Sequence, residues 1–350
     1  MSAEHKSVED KIAYLKEYHG RPLTLMEVCG SHTAAIARSG IRGLLSPKIR
    51  LISGPGCPVC VTPSAYVDKL VELAKQPDVC VVTFGDLIRV PGSRKSLSQA
   101  KGEGADVEMV YSPMDTLKLA KEHPGRQYVF AAVGFETTAP VYALLLEQMQ
   151  KQNIANISLL TALKTMPNAI RWLLENGARL DGFLAPGHVC AVTGSRIFEP
   201  LAEEFQIPFA VAGFEDVLLV EGIYRLVKMA EKREAAVRNF YPSVVTREGN
   251  QIAQDKLDSY FMEADAIWRG MGKIEKSGLV LKPEFCRYDA GSLELSEDRK
   301  INPACCCGSI LMGRMEPKDC PLFGAVCKPE HPQGACMVSY EGSCYQYYLN

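Results

Sequence analysis

Short apolar runs recur along the first two-thirds of the chain, separated by stretches whose apolar residues fall three and four apart. LTLMEV (23–28), IRLISG (49–54), VCVVTFG (79–85) and VEMVYS (107–112) form a first set of strand-sized runs. YVFAAVGF (128–135), ISLLTAL (157–163), GFLAPG (182–187) and PFAVAGF (208–214) form a second. Residues 7–19, TPSAYVDKLVELAKQ, PMDTLKLAKEH, PVYALLLEQMQKQ and EGIYRLVKMAEKREAAVRNFY (221–241) carry the helical period instead. Continuous apolar strands alternating with helices predict parallel sheets covered on both faces. The polar HPGRQ segment near residue 125 separates the two sets. The expected fold is therefore α/β, with two similar parallel-sheet domains at 20–125 and 126–241. From about residue 242 the alternation stops, which predicts a loop-rich third domain, 242–350, joined by residues 1–19.

Composition changes this picture at one point, the cysteines. The 350 residues are 47% hydrophobic and 23% charged, as in ordinary globular chains. A formal net charge of -2 gives no electrostatic case for nucleic acid or an anionic membrane. The polar start MSAEHKSVEDKIAYLKEYHG lacks a secretory pattern, and no apolar run has the length to span a bilayer. The expected location is the cytoplasm. There, thirteen cysteines read as metal ligands or redox pairs rather than staples.

Seven of the thirteen lie between 305 and 344. Cys305, Cys320, Cys327 and Cys344 stand with fourteen, six and sixteen residues between them. Four thiolates complete a [4Fe–4S] cluster or a tetrahedral zinc site. Structural zinc modules favour two tight CxxC knuckles, which this tail lacks; its Gly- and Pro-rich spacers suit a larger inorganic core. Cys306 and Cys307 compete with Cys305 for the first position, and Cys336 competes with Cys327 or Cys344.

GPGCPVCVTP (54–63) runs from a predicted strand into a predicted helix, with Thr62 as N-cap and Pro63 as first helical residue. Cys57 and Cys60 then precede a helix N-terminus, where free amides favour thiolate and a CxxC pair serves dithiol chemistry or soft-metal binding. MEVCGSHT (26–33) repeats the arrangement, its helix capped by Ser31 or Thr33. Cys29 and His32 suit a transition metal, or a cysteine nucleophile activated by histidine. Both loops fall at the carboxyl ends of predicted strands, where ligands gather in parallel α/β sheets.

GFETTAP (134–140), APGHVCAVTG (185–194) and AGFED (212–216) also follow predicted strands. They supply Glu136, Thr137, Thr138, His188 and Glu215 as polar groups. The two threonines equally suit helix capping, and His188 with Cys190 suits a structural role better than a metal site. Cys80 reads as core and Cys286 as incidental. Asp86 and Arg89 in GDLIRVPGS read as an ion pair or a partner surface.

Together and in order, MEVCGSHT, GPGCPVCVTP, FGDLIRVPGS, AVGFETTAP, APGHVCAVTG, AGFED and CCCGSIL…CPLFGAVCKP…GACMVSYEGSC resemble the HypD family of NiFe-hydrogenase maturation proteins. The resemblance runs from residue 26 to residue 344. It implies two α/β domains plus a third carrying a [4Fe–4S] cluster on Cys305, Cys320, Cys327 and Cys344. It also implies a function: with a HypC-type small chaperone, the protein holds the iron that receives two cyanides and one carbon monoxide. Cyanide would come from a HypE-type donor, Cys29 would bind the iron, and Cys57 and Cys60 would form a redox pair. One position departs from the family, which usually has a basic residue where this chain has Cys306. The alternative reading is an iron–sulfur-dependent thiol–disulfide oxidoreductase similar to ferredoxin–thioredoxin reductase, which leaves Cys29 without a task.

Overall fold

The computed structural model describes residues 6–295 and 302–350. All eight predicted strands form: β1 (Leu23–Glu27), β2 (Ile49–Ser53), β3 (Val79–Thr83), β4 (Val107–Met109), β5 (Gln127–Gly134), β6 (Ile157–Lys164), β7 (Gly182–Pro186) and β8 (Phe209–Ala212). Three more were not anticipated: β9 (Val237–Asn239), β10 (Phe261–Trp268) and β11 (Gly272–Leu281).

The strands make two sheets. One is wholly parallel, in the order β2-β1-β7-β8-β9. The other has the order β10-β11-β6-β5-β3-β4, parallel from β6 to β4, with the β10–β11 hairpin added antiparallel. The boundary expected near residue 125 therefore does not separate the sheets. β1 and β2 leave the first set, with β1 pairing to β7 and β2 outside it, so the chain passes from one sheet to the other and back. Local periodicity marks a strand but carries no information about which distant strand it will join.

Three further expectations change. The helix expected over 221–241 is Asp216–Lys232; it ends where Arg233 takes a left-handed φ of 52°, and the residues beyond form edge strand β9. Pairing with β8 overrides the helix propensity of the Glu- and Ala-rich segment. The stretch from residue 242 is not all loop: helix Gln251–Tyr260 and the β10–β11 hairpin extend the second sheet. Glu263, Asp265, Lys273 and Glu275 hide the period-two signal on this half-exposed ribbon. Helix Val8–Lys16, closed by a Ser7–Asp10 capping box, packs on helix Asp216–Lys232 rather than on the cysteine-rich tail. Lys11 meets Glu221 at 2.5 Å, and the Tyr14 hydroxyl donates to Glu231 Oε2 at 2.6 Å.

The fold sets up two crossover points. β1 lies between β2 and β7, so the loops after β1 and β7 leave the sheet in opposite directions and open a crevice, the position where open α/β sheets bind ligands. The tail covers this end of the first sheet. Met26, Ile52, Phe183 and Phe209 share one apolar core with Cys57, Cys60, Trp268 and the tail cysteines.

β6 ends in Lys164, 3% exposed, with its ammonium 5.9 Å from the Trp268 ring centroid. Among the described residues no carboxylate pairs with it. Burial brings the ammonium down to about 7. The unfolded chain, with an ordinary lysine near 10.4, binds the proton more tightly between these values, so this group makes stability rise with pH from about 7 to about 10. Lys164→Met is expected to be more stable than the parent at neutral pH by a few kcal/mol, the gap closing as pH rises to about 10. Urea titrations across that range check this, and a gap independent of pH would refute it.

Candidate redox and metal site

β1 is buried on both faces and ends at Glu27, Val28 and Cys29. Cys29 itself, with extended backbone, is the N-cap of helix Gly30–Arg38. The expected caps do other work. Thr33 donates to Glu27 Oε1 at 2.6 Å, and Ser31 donates to Glu341 Oε1 at 2.7 Å. Glu27 Oε2 accepts the Cys29 N–H at 3.1 Å. Burial pushes the Glu27 carboxyl up to about 7 despite these donors.

β2 lies beside β1, and its following loop is stitched to Cys29 by the main chain. Gly54 N–H donates to Glu27 C=O at 2.7 Å, and Gly30 N–H donates to Gly56 C=O at 2.8 Å. A Cβ on Gly56 would stand 2.2 Å from Cys29 N and 2.4 Å from the Val28 carbonyl carbon. No side chain fits there. The CPVC turn and Cys29 are held together by this approach.

Cys57 is the N-cap of a separate short helix, Pro58–Val61, with Pro58 at its first position; Thr62 and Pro63 lie between it and helix Ser64–Leu73. The expected cap moves by one residue, to Pro63, and Thr62 instead ends the short helix that the CPVC turn forms. Cys60 N–H donates to Cys57 Sγ at 3.2 Å. Both sulfurs are buried. Burial, the neighbouring Cys60 and the Glu341 charge raise the Cys57 thiol. Burial also works against ionisation of Cys60, but sulfur hydrogen bonds from Cys336 and Cys57 and the charge of Arg269 outweigh it and bring that thiol down. The two sulfurs are therefore inequivalent.

The tail closes over both loops. The Ser339 side chain favours the Cys57 thiolate, and Glu341 lies against Gly30, whose added Cβ would be 2.4 Å from Glu341 Cβ. Burial pushes the Cys29 thiol up to about 12, with Glu341 and Glu27 adding to it and the His32 and Ser31 N–H groups opposing it. Such a thiol stays protonated until a metal cation displaces the proton.

The remaining loops converge from the other side of the crevice. His32 is fully buried; its Nε2 lies 3.0 Å from Gly213 C=O, its Nδ1 has no partner, and burial lowers its pKa to about 4. Its ring packs on Phe214 at 4.7 Å, and Phe214 stacks on His188 at 3.8 Å. Burial raises the Cys190 thiol, and the charges of Glu136 and Cys29 add to the shift, which locates all three in one neighbourhood. Glu136 Oε1 accepts Met166 N–H at 2.7 Å, while Oε2 is buried without a partner. Thr138 is an N-cap in position only, without a side-chain cap bond. Asp86 is exposed and not ion-paired with Arg89 among the described residues, but its charge reaches Cys60 and Glu341. Cys80 lies in the core at β3, as expected, and Cys286 is exposed.

No disulfide joins any of the thirteen cysteines. Cys305, Cys307, Cys320, Cys327, Cys336 and Cys344 line one cavity with Ile310, Leu322, Phe323 and Met337; Cys306 is outside that lining. Cys307 and Cys336 are paired at 2.9 Å between sulfurs. Cys336 shares one buried cluster with Cys57, Cys60, Cys307 and Cys344, so the CPVC turn and the cavity lie in one neighbourhood. Gly334 leaves room that a Cβ, 2.9 Å from Cys305 Sγ, would fill. Among the described residues no three His, Cys, Asp or Glu groups close around a single metal ion. The cysteines instead line a narrow apolar cavity.

Sequence reasoning missed Glu341, Ser339 and Arg269. The first two stood in SYEGSC, a polar stretch inside the cysteine tail that could have been noticed. Arg269, in WRGMG, carried only the weak signal of a charge directly after an apolar run.

A family model described as HypD, hydrogenase formation hypA family, matches residues 4–350. The chain is 43% identical to the hydrogenase maturation factor HypD of Escherichia coli over 347 residues, 97% of this chain and 92% of that one. It is 42% identical to the factor of the same name from Rhodobacter capsulatus over 354 residues, covering 99% and 93%. It is 41% identical to the hydrogenase expression/formation protein HupD of Azotobacter chroococcum, covering 94% and 89%.

Proposed function

The chain belongs to the HypD family of hydrogenase maturation factors, and from that premise we propose that it is the scaffold on which iron receives its diatomic ligands. In this reading the iron is substrate, held between this chain and a HypC-type small chaperone in the cytoplasm. It receives two cyanides from a HypE-type donor and one carbon monoxide. The observation that carries the proposal is the main-chain joining of Cys29 to the CPVC turn beneath Ser339 and Glu341. An iron-holding thiol and a two-electron dithiol then act on one substrate.

Cys29 supplies a soft thiolate, releasing its proton when iron binds. His32, neutral because it is buried, orients the wall of the crevice through Gly213 and Phe214. Cys57 and Cys60 hold two electrons as a dithiol. Cys305, Cys320, Cys327 and Cys344 would hold a [4Fe–4S] cluster. The fit rests on the six-sulfur lining, the apolar wall and the glycine gap at Gly334; Cys307 is engaged with Cys336, which leaves Cys305 for the first position. When bound, that group would supply electrons singly.

The test is infrared spectroscopy of the protein purified with its small chaperone and cyanide donor. Metal-bound cyanide and carbonyl bands are expected. An iron-loaded complex that carries neither, from cells actively making hydrogenase, would rule the scaffold out and favour a plain thiol–disulfide oxidoreductase.

A further inference from the structure

Resting on the dithiol reading of Cys57 and Cys60, we infer that Arg269 is a positioning residue for that pair, a buried positive charge clamped beside Cys60 that favours its reduced form. Arg269 follows β10 and is 7% exposed. Its N–H donates to Val61 C=O at 2.8 Å, its Nε to Thr62 C=O at 2.6 Å and its Nη2 to Pro91 C=O at 3.3 Å. All three acceptors are main-chain carbonyls, two of them in the residues directly after Cys60.

Among the described residues no carboxylate pairs with this guanidinium. A buried cation needs a compensating negative charge. Its charge acts on the Cys60 sulfur in the CPVC turn and on Cys307 in the tail, and its main-chain bonds to Val61 and Thr62 fix it at the former. Nor can the side chain readily swing out to water. The next residue, Gly270, is pressed on the tail helix Cys307–Leu311, where an added Cβ would stand 2.3 Å from Gly308 Cα. Arg269 thus joins the hairpin, the dithiol turn and the GDLIRVPGS loop, and it is the fixed charge at their junction.

The consequence is read in the dithiol/disulfide equilibrium. In exchange with glutathione disulfide, an S–S bond forms between Cys57 and Cys60 as the glutathione S–S bond breaks. The two electrons pass to two glutathione thiols, with one proton from Cys57 and one from solvent where Cys60 is already thiolate. A cation that stabilises the reduced pair makes it more oxidising.

The experiment equilibrates the full-length protein in graded glutathione buffers. It reads the Cys57/Cys60 peptide by alkylation in denaturant and mass spectrometry. Arg269→Gln is expected to move the equilibrium constant about tenfold toward disulfide, about 30 mV more negative. Arg269→Lys, which keeps the charge, is expected to stay within about threefold of the parent. Equal shifts in both variants, or no shift in Arg269→Gln, overturn the inference. Should Arg269→Gln not fold, ultraviolet thiolate absorbance decides in proteins that keep the arginine. Cys57→Ser must show one more thiolate at neutral pH than Cys57→Ser/Cys60→Ser, and equal absorbance overturns the inference. A parent whose peptide never becomes disulfide at any glutathione ratio overturns the dithiol reading itself, which separates the two failures.

Discussion

Cys29→Ala is expected to cut hydrogenase maturation at least 100-fold, by roughly the factor that even supporting groups around a metal contribute and more, while the fold survives. Removing one sulfur from a site 8% exposed costs about 1 kcal/mol, near the low end of large-to-small core substitutions. Alanine also makes an adequate backbone at this N-cap, because Cys29 makes no side-chain cap bond. What disappears is the soft ligand, and nothing adjacent replaces it. Cys57 lies under Ser339, and Cys190 is buried beneath the crevice. The measurement is hydrogenase activity in cells whose own copy has been deleted, beside iron content and infrared bands of the purified complex. The cysteine tail provides the contrast: Cys29→Ala should keep any iron–sulfur chromophore, whereas Cys327→Ser should lose it. Near-parental maturation by Cys29→Ala would sink the iron-holding role and leave the oxidoreductase reading in its place.

Gly56→Ala is expected to be strongly damaging for a change of a single methyl group. The added carbon would meet Cys29 N at 2.2 Å, the Val28 carbonyl carbon at 2.4 Å and Cys29 Cα at 2.5 Å. All three are main-chain atoms fixed at the end of β1, so no rotamer change relieves the clash. The loops must part, and the Gly30–Gly56 hydrogen bond goes with them. A cost of about 3 kcal/mol or more follows, at the upper end of overpacking. Function should fail alongside stability, because the same contact holds Cys29 to the dithiol. Gly43→Ala is the control, a glycine with nothing within 4 Å of an added Cβ, and should change the urea midpoint hardly at all. Parental stability in Gly56→Ala would mean that the two loops are not joined as described.

These expectations come from contacts between segments, and only part of them was legible in the chain. Most of the first eight strands were readable because a buried parallel strand is a continuous apolar run, whatever it pairs with; the edge strand β4, exposed at Glu108 and Met109, is the exception. The exposed hairpin β10–β11 was not, since its charges break the alternation. Capping was misread at Cys29 and Cys57 for a related reason. Ser31, Thr33 and Thr62 are good caps in isolation, but the distant Glu341 claims the first hydroxyl and the nearby Glu27 and Pro58 carbonyl claim the other two.

The amino-acid order alone determined the α/β class, the cysteine-rich tail and the location of Cys29 and the CPVC pair at strand ends, because these are properties of short windows. The tertiary structure decided that β1 and β2 lie beside β7 rather than β3. It also decided that Glu341 seals the Cys29 loop from 310 residues beyond Ser31, and that Arg269 is bonded to the carbonyls of Val61 and Thr62, directly after Cys60. Parallel strands with similar apolar faces do not specify their neighbours locally, and a charge on a hairpin looks solvated until the sulfur it faces is folded against it.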